Sequence, residues 1–98
     1  MHIKIHQAYR TIVAICDSNL LGKTFEEDIK QIQIKENFFK GEEKDKQETI
    51  KIMQDMNKED ATFNIVGEQA IQTALEAGII SKQGIITIKN VPVALGLM

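Results

Sequence analysis

Residues 61–80, ATFNIVGEQAIQTALEAGII, constrain the fold of this chain more than any other stretch. Ile65, Ala70, Ile71, Ala74, Leu75 and Ala77 recur at helical spacing, with Glu68, Gln69, Gln72 and Glu76 mostly on the opposite side. Asn64 stands where an N-cap is wanted, because its side-chain oxygen can accept from the free amides of a first turn. Gly78 stands where a left-handed residue closes a helix. The spacing therefore predicts a bounded helix that lies on something apolar. Its alanines permit close approach to a sheet, and Ile71 and Leu75 supply bulk.

The first turn of that helix, Asn64 to Gly67, presents unpaired N–H groups at the positive end of the helix dipole, which suits an anion. Gly67 weakens a helix, so its presence asks for a reason. A phosphate or carboxylate approaching the backbone is one. Close packing of the helix start on a neighbouring strand is the other, and the simpler, since every helix has such an end.

The rest of the chain supplies the sheet. His2 to His6 alternates, with Ile3 and Ile5 on one face and His2, Lys4 and His6 on the other, as a strand does. Thr11 to Cys16 is apolar on both faces, which predicts a central strand. If His6 pairs with Thr11, then Ile3, Ile5, Ile12, Ala14 and Cys16 share a face, and Cys16 is a small buried core residue. Asp17 to Glu27 reads as a loop turning at Gly22. Within 28–35, Ile32 and Ile34 alternate with polar residues and favour a strand over a helix. Asp45 and Glu48 fit a capping box, opening an amphipathic surface helix over 46–57 with Ile50, Met53, Ile52 and Met56 inward. Gly84 to Lys89 reads as a strand and Asn90 to Pro92 as a turn. Val93 to Leu97 reads as a short terminal strand or tail, at an edge because of Pro92.

Composition narrows the function classes. The net charge is −2, from 12 basic and 14 acidic residues. The excess lies in residues 40–60, which carry five Lys against seven Asp or Glu. A protein held mainly by phosphate contacts shows a basic excess, and this one does not. No apolar run is long enough for a membrane span and MHIKIHQ is not a signal peptide, so the expected location is cytoplasmic. A single cysteine excludes an internal disulfide and a thiolate cluster for zinc. No cofactor is implied.

Gly22-Lys23-Thr24 resembles the end of a phosphate-binding P-loop, but Asp17 occupies the place of that motif's first glycine, which argues against nucleotide hydrolysis. His2 and His6 lie roughly 13 Å apart along a strand, too far to share one metal. Ser18, Ser81 and Cys16 sit in no nucleophile motif, so no catalytic residue is assigned and an enzyme is the least favoured class. Lys4, His6, Arg10, Lys23, Lys30 and Lys35 could gather on one side, with Tyr9, Phe25, Phe38 or Phe39 to stack on bases. The simpler fate of most of those rings is the core.

Several fragments look familiar in order: Cys16-Asp17, Leu21 to Glu26, Phe38 to Glu42, Asn64 to Glu68, Glu76 to Ile80 and Val91-Pro92. Together they resemble a small archaeal family of conserved proteins of unknown function, over essentially the whole chain. The resemblance implies no established activity, though such proteins are sometimes taken to be RNA-binding or translation-associated. Val93 stands where that pattern has a polar residue, often His.

These observations predict a single α+β domain over residues 1–98, with a mostly antiparallel or mixed sheet of four to five strands covered by two helices. The first functional expectation is a non-catalytic module that binds RNA or a ribonucleoprotein, with Gly22, Lys23 and Thr24 on phosphate and the amides near Asn64 and Gly67 holding an anion. The alternative is a protein-interaction module or homodimer, formed through a strand edge or the apolar tail from Val93 to Met98.

Overall fold

The alternation of His2 to His6 and the apolar run that follows it pair as expected, as β1 (His2–His6) and β2 (Ile12–Cys16). The computed structural model of the protein describes residues 1–95. In chain order the remaining strands and α-helices are β3 (Thr24–Glu27), β4 (Lys30–Gln33), α1 (Glu36–Phe39), β5 (Glu42–Glu43), α2 (Lys46–Lys58), β6 (Thr62–Val66), α3 (Glu68–Glu76), β7 (Ile86–Ile88) and β8 (Val91–Leu95). Six strands form one mixed sheet in the order β5-β1-β2-β6-β8-β7, and β3 with β4 forms a separate hairpin. Within the main sheet β2 and β6 run parallel and every other neighbouring pair is antiparallel. The α+β class holds, with more strands than the sequence predicts.

The register of β1 on β2 differs by one residue from expectation. His6 pairs with Ile12, not Thr11, and Ile3 with Ile15. Since side chains alternate with period two, this slip moves a whole set to the other face. Ile3, Ile5, Val13 and Ile15 therefore face the helices, while Ala14 and Cys16 face the opposite layer. Cys16 is fully buried, as expected, but in that second layer.

Two cores result. Ile3, Val13, Ile15, Phe63, Ile65 and Ala94 on the sheet meet Met53 of α2 and Ala70, Ile71 and Ala74 of α3. On the other side Ala14, Cys16, Val66 and Val93 meet Ile34 and Phe39, with Leu20, Leu21, Phe25 and Ile32 around them. The hairpin and α1 thus roof the face opposite the long helices. Thr24 to Glu27, expected as loop, is a strand because Phe25 must face Ile32 across the hairpin to reach this core.

The helix over 46–57 forms with its capping box. Glu48 N donates to Asp45 Oδ1 at 2.9 Å and Asp45 N donates to Glu48 Oε1 at 3.4 Å. The central helix is displaced from expectation. Asn64 lies inside β6 and caps nothing, and α3 begins only at Glu68. TFNIV has the β-branched and aromatic residues of a strand buried on both faces, and its apolar positions also satisfy helical spacing, so periodicity alone misassigns it. Gly78 closes the helix as expected, with φ +76°.

Two features correct the C-terminal expectation. Lys89 and Asn90, both with positive φ, form the two-residue turn of a β7–β8 hairpin. Pro92 lies within β8, which sits between β6 and β7 and is not an edge. Its carbonyl accepts from Gly67 N at 2.9 Å, while Gly67's own carbonyl takes Ile71 N. The missing proline N–H thus falls just beyond the end of β6, where no ladder bond is required. Residues 96–98 of the expected tail lie outside the described residues.

Candidate functional site

The two parallel strands end side by side, and Asp17 follows β2 as Gly67 follows β6. In open α/β sheets ligands favour this crevice beyond the strands' carboxyl ends. Here it is a cavity of about 200 Å³ whose polar lining is Asp17, Asn19, Glu68 and Asn90, with Gly67 and Pro92 at its wall.

The positive end of α3 already has its anion. Asp17 Oδ2 accepts from Gln69 N at 3.0 Å and Oδ1 from Ala70 N at 2.8 Å. A carboxylate from the neighbouring strand therefore caps the helix in place of a local side chain. Gly67 has φ +110°, and a Cβ there would lie 2.4 Å from Asp17 Cγ. Close approach explains this glycine, and the approaching anion belongs to the protein itself.

The other residues expected to hold phosphate sit elsewhere. Gly22 turns with φ +84° and donates its N–H to Ile34 O at 2.7 Å. Lys23 N donates to Leu20 O at 3.0 Å, and Thr24 opens β3 opposite Gln33. The side chains of Lys23 and Thr24 are exposed and do not line the crevice. Asn64 is half-buried in mid-strand.

Both histidines and Ser18 are engaged in structural contacts. His2 Nδ1 lies 3.1 Å from Gly41 O, and His6 Nε2 lies 2.8 Å from Phe38 O. Both imidazoles thus fasten the segment around α1 to β1. Ser18 Oγ donates to Glu43 at 2.8 Å. Among the described residues no three His, Cys, Asp or Glu side chains gather as a metal site.

Burial, and after it the neighbouring Asp17 carboxylate, push the Cys16 thiol up from 9.0 to about 11. Unfolding restores the ordinary value. Between about pH 9 and 11 the unfolded chain therefore loses a proton that the folded chain keeps, and stability falls as pH rises. The full extent is about 2–3 kcal/mol at roughly 1.4 kcal/mol per pH unit. Urea unfolding across this window should show that decline in the wild type and a flatter curve in Cys16→Ala. Parallel curves would refute the assignment.

The aromatic candidates separate cleanly. Phe39 is buried, Phe25 is half-buried, and Phe38 stacks on His6 with ring centroids 4.6 Å apart. Tyr9 alone is wholly exposed, on the turn between β1 and β2 beside exposed Arg10. Next to it lies a hollow of about 420 Å³, lined by Ala8, Tyr9, Arg10, Ile12 and Thr62 and almost entirely apolar. Of the cations, Lys4 donates to Asn37 O at 2.9 Å and Lys30 to Thr87 O at 3.5 Å. Tyr9 and Arg10 are both among the sequence candidates; burial separates Tyr9 from the other rings, whereas Arg10 shares its exposure with Lys23, Lys30 and Lys35.

Three fragments of the sequence resemblance, Cys16-Asp17, Gly67-Glu68 and Val91-Pro92, meet at the crevice. The family model described as "Protein of unknown function (DUF424)" matches residues 5–96. The chain belongs to the DUF424 family. The resemblance read from the sequence is therefore correct. A DUF424 fold is also similar to the crystal structure of an uncharacterized conserved protein from the archaeon Methanopyrus kandleri. The two share 22% identity with a TM-score of 0.81, over 99% of this chain and 93% of that one. At that identity the likeness speaks for the fold. A comparison with curated proteins gave no match. Among the described residues no helix is long and apolar enough to cross a membrane.

Proposed function

We propose that this DUF424 chain is a non-catalytic binding module in the cytoplasm that docks on a ribonucleoprotein, through RNA, in connection with translation. The observation that carries this reading is Tyr9, a wholly exposed aromatic ring beside Arg10 at an apolar hollow. An exposed ring with a neighbouring guanidinium matches the chemistry of a base and its phosphate. The engagement of His2, His6, Ser18 and Cys16 in structural contacts supports a binding role over catalysis. Lys23 and Thr24, exposed at the base of the β3–β4 hairpin, would add a phosphate contact.

The test is purification from native extract, with and without nuclease, at low and high salt. RNA or ribosomal particles should accompany the wild type and be lost to nuclease and to salt. Lys23→Ala should weaken the association. A clean protein, or a partner indifferent to nuclease, would sink the reading.

A protein-assembly role has its own support. Ile86 and Leu95, both about half exposed at 48%, are diagonal neighbours on one face of β7–β8. Ile29, at the tip of the β3–β4 hairpin, is wholly exposed. The Ile86 and Leu95 pair is the apolar surface that suits a protein partner. The sheet edges suit one less, since β5 has only two residues and the carbonyl of Thr87 in β7 takes Lys30. Self-assembly predicts a solution mass above the monomer's that falls on Leu95→Asp. A monomeric wild type would remove homodimerisation.

A further inference from the structure

Resting on the ribonucleoprotein reading, we infer that the hollow beside Tyr9 holds one unpaired base of single-stranded RNA. The base stacks on the phenol ring, and Arg10 meets an adjacent phosphate. The occupant follows from the chemistry of the lining. Ala8, Ile12 and the ring of Tyr9 offer carbon surface, which a flat base face can cover without leaving a polar atom dry. The carbon lining gives a peptide charge no partner, and for a free phosphate the hollow offers the one guanidinium of Arg10. Arg10 is the cation at the rim and complements the backbone of the same strand.

Duplex RNA does not fit this site. Its base faces are already stacked on one another, so only its phosphates could reach Arg10. The near balance of charge, 12 basic against 14 acidic residues, points the same way. Binding then rests on stacking and a few phosphates, and tolerates sequence because every base has a π-face.

Tyr9 is the sole tyrosine and the chain has no tryptophan, so tyrosine emission reports this site alone. The full chain is titrated with short oligouridylate, short oligoadenylate and the blunt duplex of the two. Single strands should quench the emission and the duplex should not. With labelled oligonucleotide followed by anisotropy, Tyr9→Phe should bind within about twofold of wild type and Tyr9→Ala about tenfold or more weakly. Arg10→Ala should weaken binding and reduce the salt slope by about 0.7. Tyr9 is exposed, so these variants leave the core intact.

Single strands that bind without changing the emission, a Tyr9→Ala variant with wild-type affinity, a duplex that binds as well, or no binding at all would overturn the assignment. A nuclease-sensitive particle that still accompanies Tyr9→Ala would leave the ribonucleoprotein reading standing and remove only this site. Oligonucleotide binding at Tyr9 without any native RNA partner would do the reverse.

Discussion

Replacing Gly67 by alanine is expected to destabilise the protein by about 4 kcal/mol, the joint effect of overpacking and of a side chain at positive φ. The new Cβ would lie 2.4 Å from Asp17 Cγ and 2.6 Å from both carboxylate oxygens. Asp17 cannot retreat without releasing Gln69 N and Ala70 N, and the latter bond is buried. Chemical denaturation should show the loss, and the melting temperature should fall by roughly 20 °C in a chain of this size. The double variant Asp17→Ala, Gly67→Ala decides the cause. Removing the carboxylate relieves the clash but sacrifices the cap, so the two changes together should cost clearly less than their sum. Strict additivity would mean that Asp17 and Gly67 do not form one unit.

Gly41→Ala is expected to cost about 3 kcal/mol or more, for a different reason. Backbone strain plays no part. An added Cβ would stand 2.0 Å from Ile3 O and 2.8 Å from Ile3 C, atoms of β1 itself. Backbone cannot rotate aside as a side chain can, so the segment must lift from the strand. That movement would break the pairing of Ile3 with Glu42 and the contact of His2 Nδ1 with Gly41 O. Hydrogen exchange should accelerate first at Lys44 N, which donates to Met1 O at 2.9 Å. Unchanged protection there with wild-type stability would contradict the geometry.

Local chemistry was legible in the sequence and long-range chemistry was not. The box of Asp45 and Glu48 spans three residues, and β1 announces itself by alternation, so both could be read directly. The anion slot at the start of the central helix was also legible as a need. Its occupant was not, because Asp17 lies 52 residues before Gln69 in sequence. Asp17 was visible as the residue that spoils a P-loop and as part of a familiar fragment, and its role appears once β2 and β6 lie parallel. The register of β1 on β2 escaped for a similar reason. It depends on a turn lengthened by one residue, and nothing in Gln7 to Thr11 states that length. Tyr9 stood among four plausible aromatics until three of them were packed.

The parallel pairing of β2 with β6 also has a kinetic consequence. The β1–β2 and β7–β8 hairpins close over short turns and can form early. Joining Cys16 to Val66 must wait until the intervening chain is gathered, at a loop-closure entropy that hairpins do not meet. The carboxylate of Asp17 can reach Gln69 only after that step. It should act as a latch that slows escape from the native state and leaves the search for it alone. Asp17→Ala is then expected to steepen no refolding barrier but to speed unfolding, moving only the high-denaturant arm of a chevron plot.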